Sequence, residues 1–208
     1  MIFSCSINSG VLIKRIFDLI FSFIGLLILS PLFFVIPILI KSDSSGPIIF
    51  KQARVGLMGK RFLLYKFRTM VKDAEKKGIK LTSSSDSRIT KVGRFLRKYK
   101  IDEYPQLINI LKGEMSFVGP RPEVPEYVEL FRGDFDYILQ MKPGITDFAS
   151  IKYRNESNLI KNGHNAENIY INEILTQKIQ LYKKYIKERS FSLHLKLIFF
   201  TLFYLIKK

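Results

Sequence analysis

The sequence predicts a mostly helical α+β protein with an N-terminal membrane element and a small polar domain. Residues 16–40 form one long apolar segment whose single charged residue is Asp18. Two runs rich in apolar residues flank a turn that contains Gly56 and Gly59, which indicates a β-hairpin. Further along, apolar side chains recur at three- and four-residue spacing, which indicates amphipathic helices.

Composition limits the classes of protein that fit. The chain has 208 residues, 47% of them hydrophobic and 25% charged, which is typical of a globular protein with a real core. Of its net charge of +16, residues 51–101 carry +13, which indicates an anionic partner: nucleic acid, acidic lipid or a phosphorylated small molecule. One cysteine, Cys5, excludes an intrachain disulfide, and with two histidines a Cys/His zinc site is implausible.

The apolar segment is long enough for a membrane, because its 25 residues exceed the roughly 20 that cross a hydrocarbon core. Pro31 has no N–H and forces a kink, while the Ser30 hydroxyl can bond the preceding turn and make the break tolerable in lipid. Two topologies stay open: a kinked transmembrane helix and a re-entrant helix-break-helix. In both, the basic residues after position 50 predict a cytoplasmic domain. We therefore divide the chain into an anchor, residues 1–41, and a domain, residues 42–208.

The other elements follow from local pattern. Residues 47–54 and 61–68 are the two predicted strands of the hairpin. The remaining predicted segments are a loop at 78–87, a helix with a basic face at 88–100, an amphipathic helix at 166–186 and an interfacial helix at 190–206. The stripe on 166–186 is explained by core packing, and we assign it no chemistry.

Two adjacent acids, Asp102 and Glu103, follow the basic stretch. Pro105 and Gly113 bracket a predicted helix, which places the acids at its N-terminus, where the helix dipole favours negative charge. A carboxylate there can be a base, a metal ligand or a nucleophile, and the alternative is a simple capping pair. One acid could attack phosphorus while the other binds Mg²⁺.

Arg121 stands between Pro120 and Pro122, a short distance after the acids. The prolines restrict the backbone around it, which suits a guanidinium that binds phosphate with two parallel hydrogen bonds. A basic stretch, an acidic pair and a proline-flanked arginine in this order point to chemistry on a phosphorylated substrate.

Four short motifs occur in order behind the Ser30–Pro31 break: KFRTM at residues 66–70, DEYPQL at 102–107, SFVGPRP at 116–122 and KPGIT at 142–146. This arrangement closely resembles the bacterial sugar transferase family, the monotopic polyprenyl-phosphate phosphoglycosyl transferases that begin surface glycan assembly. The resemblance runs from about Lys14 to Arg154, and it favours the re-entrant topology. The chain looks like a short form of the family.

The resemblance implies an activity: transfer of a sugar 1-phosphate from a UDP-sugar to undecaprenyl phosphate, which yields undecaprenyl-diphospho-sugar and UMP. Asp102 matches the family's nucleophile, which forms a covalent phosphosugar intermediate, and Glu103 matches its Mg²⁺-associated glutamate, with Asp102 as a further ligand. The implied substrate-binding residues are Arg97, Arg121, Lys66, Arg68, Pro120 and Pro122.

The resemblance also implies a place and partners. The protein is expected on the cytoplasmic face of the bacterial inner membrane, in contact with phospholipids and not with nucleic acid, and a homo-oligomer stays open. Residues 144–154 depart from the common family pattern, so the sugar is not identified. The rival hypothesis is a non-enzymatic membrane-surface protein that binds anionic lipid or nucleic acid through its basic residues.

Overall fold

The computed structural model describes residues 9–74, 83, 86–159 and 166–207. The chain opens with two helices, α1 (Ser9–Ile28) and α2 (Ser30–Asp43), which are bent by 59° at their junction. The Ser30 hydroxyl donates a hydrogen bond to the carbonyl of Leu27 at 2.8 Å, as predicted for a break before Pro31. Within the described ranges no single helix is long and apolar enough to cross a membrane, whereas the two helices of this bent pair together have the length and composition to do so.

The predicted β-hairpin is confirmed. Strands β1 (Ile49–Val55) and β2 (Arg61–Phe67) pair antiparallel, with Val55 opposite Arg61. The connection between them holds Met58 and Gly59 at φ values of 54° and 75°, in the left-handed region that a tight reversal requires.

The rest of the described chain is mainly helical, which confirms the mostly helical α+β class. A 3₁₀ turn spans Ile101–Glu103, and a π-helical turn spans Tyr170–Leu175. The helices are α3 (Lys91–Lys98), α4 (Gln106–Lys112), α5 (Pro125–Leu130), α6 (Arg132–Ile138), α7 (Phe148–Lys152), α8 (Glu156–Leu159), α9 (Ala166–Ile169), α10 (Thr176–Glu188) and α11 (Phe191–Ile206). The helices predicted at 88–100, 166–186 and 190–206 therefore exist, the first of them shorter than predicted. Most of the loop predicted at 78–87 lies outside the described residues.

A second sheet was not predicted. Strands β3 (Ser116–Val118) and β4 (Gly144–Thr146) pair in parallel through three residues each. The backbones come very close there, because a Cβ on Gly144 would lie 2.1 Å from the backbone nitrogen of Gly119. Three residues are too few to show an alternating pattern, so the sequence gives no signal for these strands.

Helix α1 is bound to the domain through its few polar side chains. The Asp18 carboxylate accepts hydrogen bonds from the Ser116 hydroxyl and the Phe117 backbone N–H of β3, both at 3.1 Å. Lys14 donates to a carbonyl of the same strand at 2.7 Å. Arg15 donates to two carbonyls at the C-terminal end of α4, at 2.7 and 2.9 Å. The polar groups of α1 therefore meet the segments on either side of the α4–β3 connection.

The buried core extends from the bent helix pair to the C-terminal half. Ile36 and Ile40 of α2 pack with Phe67 of β2 and Leu96 of α3. The largest cluster surrounds α10 and includes Tyr182, which is fully buried. Because α2 contributes core side chains, the hairpin and α3 are held directly against it. The division at residue 41 stays a prediction.

Candidate active site

The acidic pair lies where the sequence predicts, just before α4. Asp102 and Glu103 belong to the 3₁₀ turn, Pro105 takes the N-cap position of α4, and Gly113 ends the helix at a φ of 82°. Consecutive side chains on such a tight turn point in different directions. The two carboxylates therefore meet different surroundings.

Glu103 is held by two cations. The guanidinium of Arg121 donates to both of its carboxylate oxygens, at 2.5 and 3.2 Å, and the Lys66 ammonium lies 3.3 Å from one of them. Burial alone would raise the pKa of Glu103, but Arg121 and then Lys66 hold that pKa well below its usual range. Glu103 in turn raises the pKa of Arg121. The glutamate is therefore ionised and fixes both cations in place.

Asp102 has the opposite environment. It is 7% exposed, and its Oδ1 atom has no hydrogen-bond partner among the residues that the structure describes. Burial raises the pKa of this carboxyl group, and the positive charge of Lys66 opposes that rise. A carboxylate that is desolvated and not bonded keeps its lone pairs available for an electrophile or a metal ion.

The predicted phosphate-binding residues come from three separate elements. Lys66 extends from β2, Arg97 from α3 and Arg121 from the loop after β3, and all three border one cavity with Asp102 and Glu103. The Nε atom of Arg97 donates to the hydroxyl of a neighbouring threonine at 2.8 Å. The cavity has a volume of about 2330 Å³, more than a drug-sized ligand needs.

The remaining predicted residues have structural partners. Arg68 borders the cavity, but its guanidinium donates to carbonyls of Ser44 and Ser45 at the end of α2, at 2.6 and 2.9 Å. The carbonyl of Pro120 accepts from the backbone of β4 at 2.9 Å, and that of Pro122 accepts from an arginine of β1 at 3.0 Å. Carbonyl bonds on both sides therefore hold the loop of Arg121.

The sequence missed a second set of polar groups on this cavity. Arg54 forms an ion pair with Glu123 at 3.6 Å, and Lys178 forms one with Glu156 at 2.7 Å. Lys178 lies on α10, whose stripe was assigned to packing alone. It is only 4% exposed and stands four residues before the buried Tyr182. A lysine at an inward-facing position of the helical period is the signal that could have revealed this set.

The donor groups allow a limited metal site. Across the described residues there is no group of three or more His, Cys, Asp or Glu that could hold a metal ion. Mg²⁺ needs fewer protein ligands, since it commonly takes one or two carboxylates and completes its shell with waters and substrate phosphates. The unpartnered Oδ1 of Asp102 beside Glu103 suits an ion of that kind.

Comparison with known proteins decides the family. The family model described as bacterial sugar transferase matches residues 9–208. The chain belongs to the bacterial sugar transferase family. That assignment confirms the resemblance, and with it the prediction of a sugar-transferring enzyme.

Relatives within the family are named for several sugars. A Bacillus subtilis protein is 49% identical over 122 residues, which are 59% of this chain and 68% of the relative. Its provisional name is undecaprenyl-phosphate N-acetylgalactosaminyl 1-phosphate transferase. The UDP-glucose:undecaprenyl-phosphate glucose-1-phosphate transferase of Escherichia coli is 37% identical over 201 residues, 94% of this chain. The undecaprenyl-phosphate galactose phosphotransferase of Salmonella typhimurium is 41% identical over 166 residues, 72% of this chain. The match spans only 41% and 34% of these last two proteins.

Proposed function

We propose that the protein transfers a sugar 1-phosphate from a UDP-sugar to undecaprenyl phosphate through a covalent intermediate on Asp102. The observation that carries this proposal is a buried carboxylate with an unpartnered oxygen, beside cations from three elements in one cavity. The names of the relatives support undecaprenyl phosphate as acceptor, and that of the Escherichia coli relative supports a UDP-sugar as donor.

The transfer consists of two displacements at one phosphorus atom. An oxygen of Asp102 attacks the phosphorus that carries the sugar, and the bond from this phosphorus to the bridging oxygen breaks. The electron pair leaves with UMP. A phosphate oxygen of undecaprenyl phosphate then attacks the same phosphorus and displaces the aspartate, which yields undecaprenyl-diphospho-sugar and restores the free carboxylate. Two displacements at one site avoid a complex that must hold donor and acceptor together.

The residues around Asp102 have separate tasks in this scheme. Lys66, Arg97 and Arg121 bind the diphosphate, and Glu103 keeps the last of them oriented through its two hydrogen bonds. Mg²⁺ bound by Glu103 and Asp102 would neutralise charge on the diphosphate. Asp102 is only 7% exposed, so little of its surface is open to water that could hydrolyse the intermediate.

The decisive experiment compares purified wild-type protein with Asp102→Asn across a panel of UDP-sugars, with Mg²⁺ and undecaprenyl phosphate. We expect UMP release from wild type and none from the variant. With the UDP-sugar alone, mass spectrometry should find a phosphosugar adduct on Asp102. Asp136→Asn is the matched control, because Asp136 is exposed on α6 and outside the cavity lining. Full turnover by Asp102→Asn refutes the proposal, and salt-sensitive lipid or nucleic-acid binding without UMP release favours the non-enzymatic alternative.

The membrane placement is part of the same proposal. The α1–α2 pair enters and leaves on the cytoplasmic face of the bacterial inner membrane, which its bend of 59° and its many exposed apolar side chains support. Helix α11, which also exposes large apolar residues, lies among the phospholipids at the interface. A Gly10→Cys variant in a Cys5→Ser background should be labelled from the cytoplasmic side. Labelling from the opposite side alone would exclude the re-entrant topology.

A further inference from the structure

The cavity has two walls of different charge. The first wall, which we call the cationic wall, lies around Asp102, where the cations Lys66, Arg97 and Arg121 outnumber the two acids. A second wall, which we call the charge-balanced wall, carries two cations and two acids in two ion pairs, together with two tyrosines. Its residues are Arg54, Glu123, Glu156, Tyr170, Lys178 and Tyr182.

The residues of the charge-balanced wall other than Tyr182 form one connected network. The Tyr170 hydroxyl donates to the Glu123 carboxylate at 3.2 Å, and the Lys178 ammonium lies 3.4 Å from the same hydroxyl. The ammonium also donates to Glu156 at 2.7 Å. The network thus links the two ion pairs and runs from the hairpin to α10. Its groups hold one another in place before any ligand binds.

One further hydroxyl beside this network has no hydrogen-bond partner among the protein groups that the structure describes. It belongs to Tyr182, which is fully buried and borders the cavity. A buried hydroxyl without a partner is destabilising, so it marks a position where a ligand can supply the missing hydrogen bond.

Resting on the proposed function, we infer that the charge-balanced wall binds the sugar ring of the donor and determines which sugar is accepted. A wall with no net charge does not attract the diphosphate, which the cationic wall takes. Sugar hydroxyls both donate and accept hydrogen bonds, and the wall offers carboxylates, hydroxyls and an ammonium to match them. Uracil has a single N–H donor, so it can use fewer of the wall's acceptor oxygens than a sugar ring with several hydroxyls.

Glu156→Gln and Tyr182→Phe test this inference. Both keep the size of the side chain, and Tyr182→Phe removes only a hydroxyl without a partner, so we expect no fall in its melting temperature. The assay measures KM for a panel of UDP-sugars that differ in one hydroxyl, and the inhibition constant of UMP, which lacks the sugar. We expect about a tenfold rise in KM for the preferred UDP-sugar, an altered ranking of the sugars, and an unchanged inhibition constant for UMP.

A binding measurement separates this inference from the proposed function. Thermal shift with UDP-sugar and with UMP needs no turnover, and Glu188→Gln, the same substitution at an exposed position of α10, is the matched control. UDP-sugar should raise the melting temperature of wild type more than UMP does, and Glu156→Gln should lose this difference. If that loss is found but wild type shows no turnover, the proposed function fails and the inference stands. A parallel loss of UMP binding would assign the wall to the nucleotide and overturn the inference. Unchanged sugar ranking with wild-type KM would overturn it equally.

Discussion

The pairing of Glu103 with Arg121 predicts strong energetic coupling between two charges that are largely shielded from water, with side chains 13% and 28% exposed. We propose a double-mutant cycle with Arg121→Gln, Glu103→Gln and both together. Arg121→Gln leaves Glu103 buried with Lys66 as its close cation, at 3.3 Å. Removing one partner of a buried ion pair costs about 3–5 kcal/mol, and the remaining lysine places this variant near 3 kcal/mol.

The same reasoning gives the other two corners of the cycle. Glu103→Gln leaves the partly buried cations Arg121 and Lys66 without the acid that they share, at a similar cost of about 3 kcal/mol. In the double variant both charges of the pair are absent, and only Lys66 is left without its acid. Its loss of unfolding free energy should therefore fall short of the sum of the two single losses by about 2 kcal/mol. Each single variant should lower the melting temperature by about 6–12 °C, since a chain of this length loses about 2–4 °C per kcal/mol.

Thermal unfolding in one lipid or detergent system measures all four proteins. The control cycle uses Arg132 and Glu129, an ion pair of the same residue types at 3.1 Å whose side chains are about 70% exposed. Its coupling should be no more than about 0.5 kcal/mol. Additive losses at Glu103 and Arg121, or coupling as weak as in the control, would refute the argument that the pair acts as one buried unit.

Two more predictions concern Asp102 and the second sheet. Because burial raises the pKa of Asp102 and the attacking form is ionised, kcat/KM should fall as the pH drops through a value above the usual ~3.9. Lys66→Met removes the positive charge that opposes this rise, so a pH–rate profile should show the acid limb of the variant at higher pH, and an unmoved limb would contradict the assignment. Gly144→Ala should cost at least about 3 kcal/mol of unfolding free energy, because its Cβ would collide with the backbone of Gly119. Gly133→Ala, in open space on α6, should be neutral or stabilising by up to about 1 kcal/mol in the same melts, and equal effects would show that the close approach does not matter.

The sequence predicts those parts of the fold that depend on local pattern. The hairpin follows from two apolar runs around a glycine turn, and α4 follows from Pro105 and Gly113, so the place of the acidic pair was predictable. The β3–β4 sheet was not, because strands of three residues carry no period. The bond from Lys178 to Glu156 joins residues 22 positions apart and depends on how α8 and α10 pack. Contacts of that kind arise from tertiary structure, so the helical period could reveal the inward-facing lysine but not its partner.

Arg68 illustrates a different limit. Its motif predicts a substrate-binding role. The positive charge of the region supports the same role for every basic residue nearby, so it does not single out Arg68. The structure gives its guanidinium four hydrogen bonds to the end of α2, from 2.6 to 3.4 Å. Charge and motif alone cannot distinguish an arginine that binds phosphate from one that caps a helix.

The bonds between α1 and strand β3 have a consequence for how such proteins can be recombined. A helix that only tethers a domain can be exchanged for any apolar segment of equal length. Here an exchange would remove the Asp18 carboxylate from the Ser116 hydroxyl and the Phe117 N–H, in the strand that leads directly to the loop of Arg121. Under the proposed topology, the insertion depth of α1 therefore fixes the height of the active site above the lipid, and a chimera with a foreign anchor would have to carry Lys14, Arg15 and Asp18 to keep it.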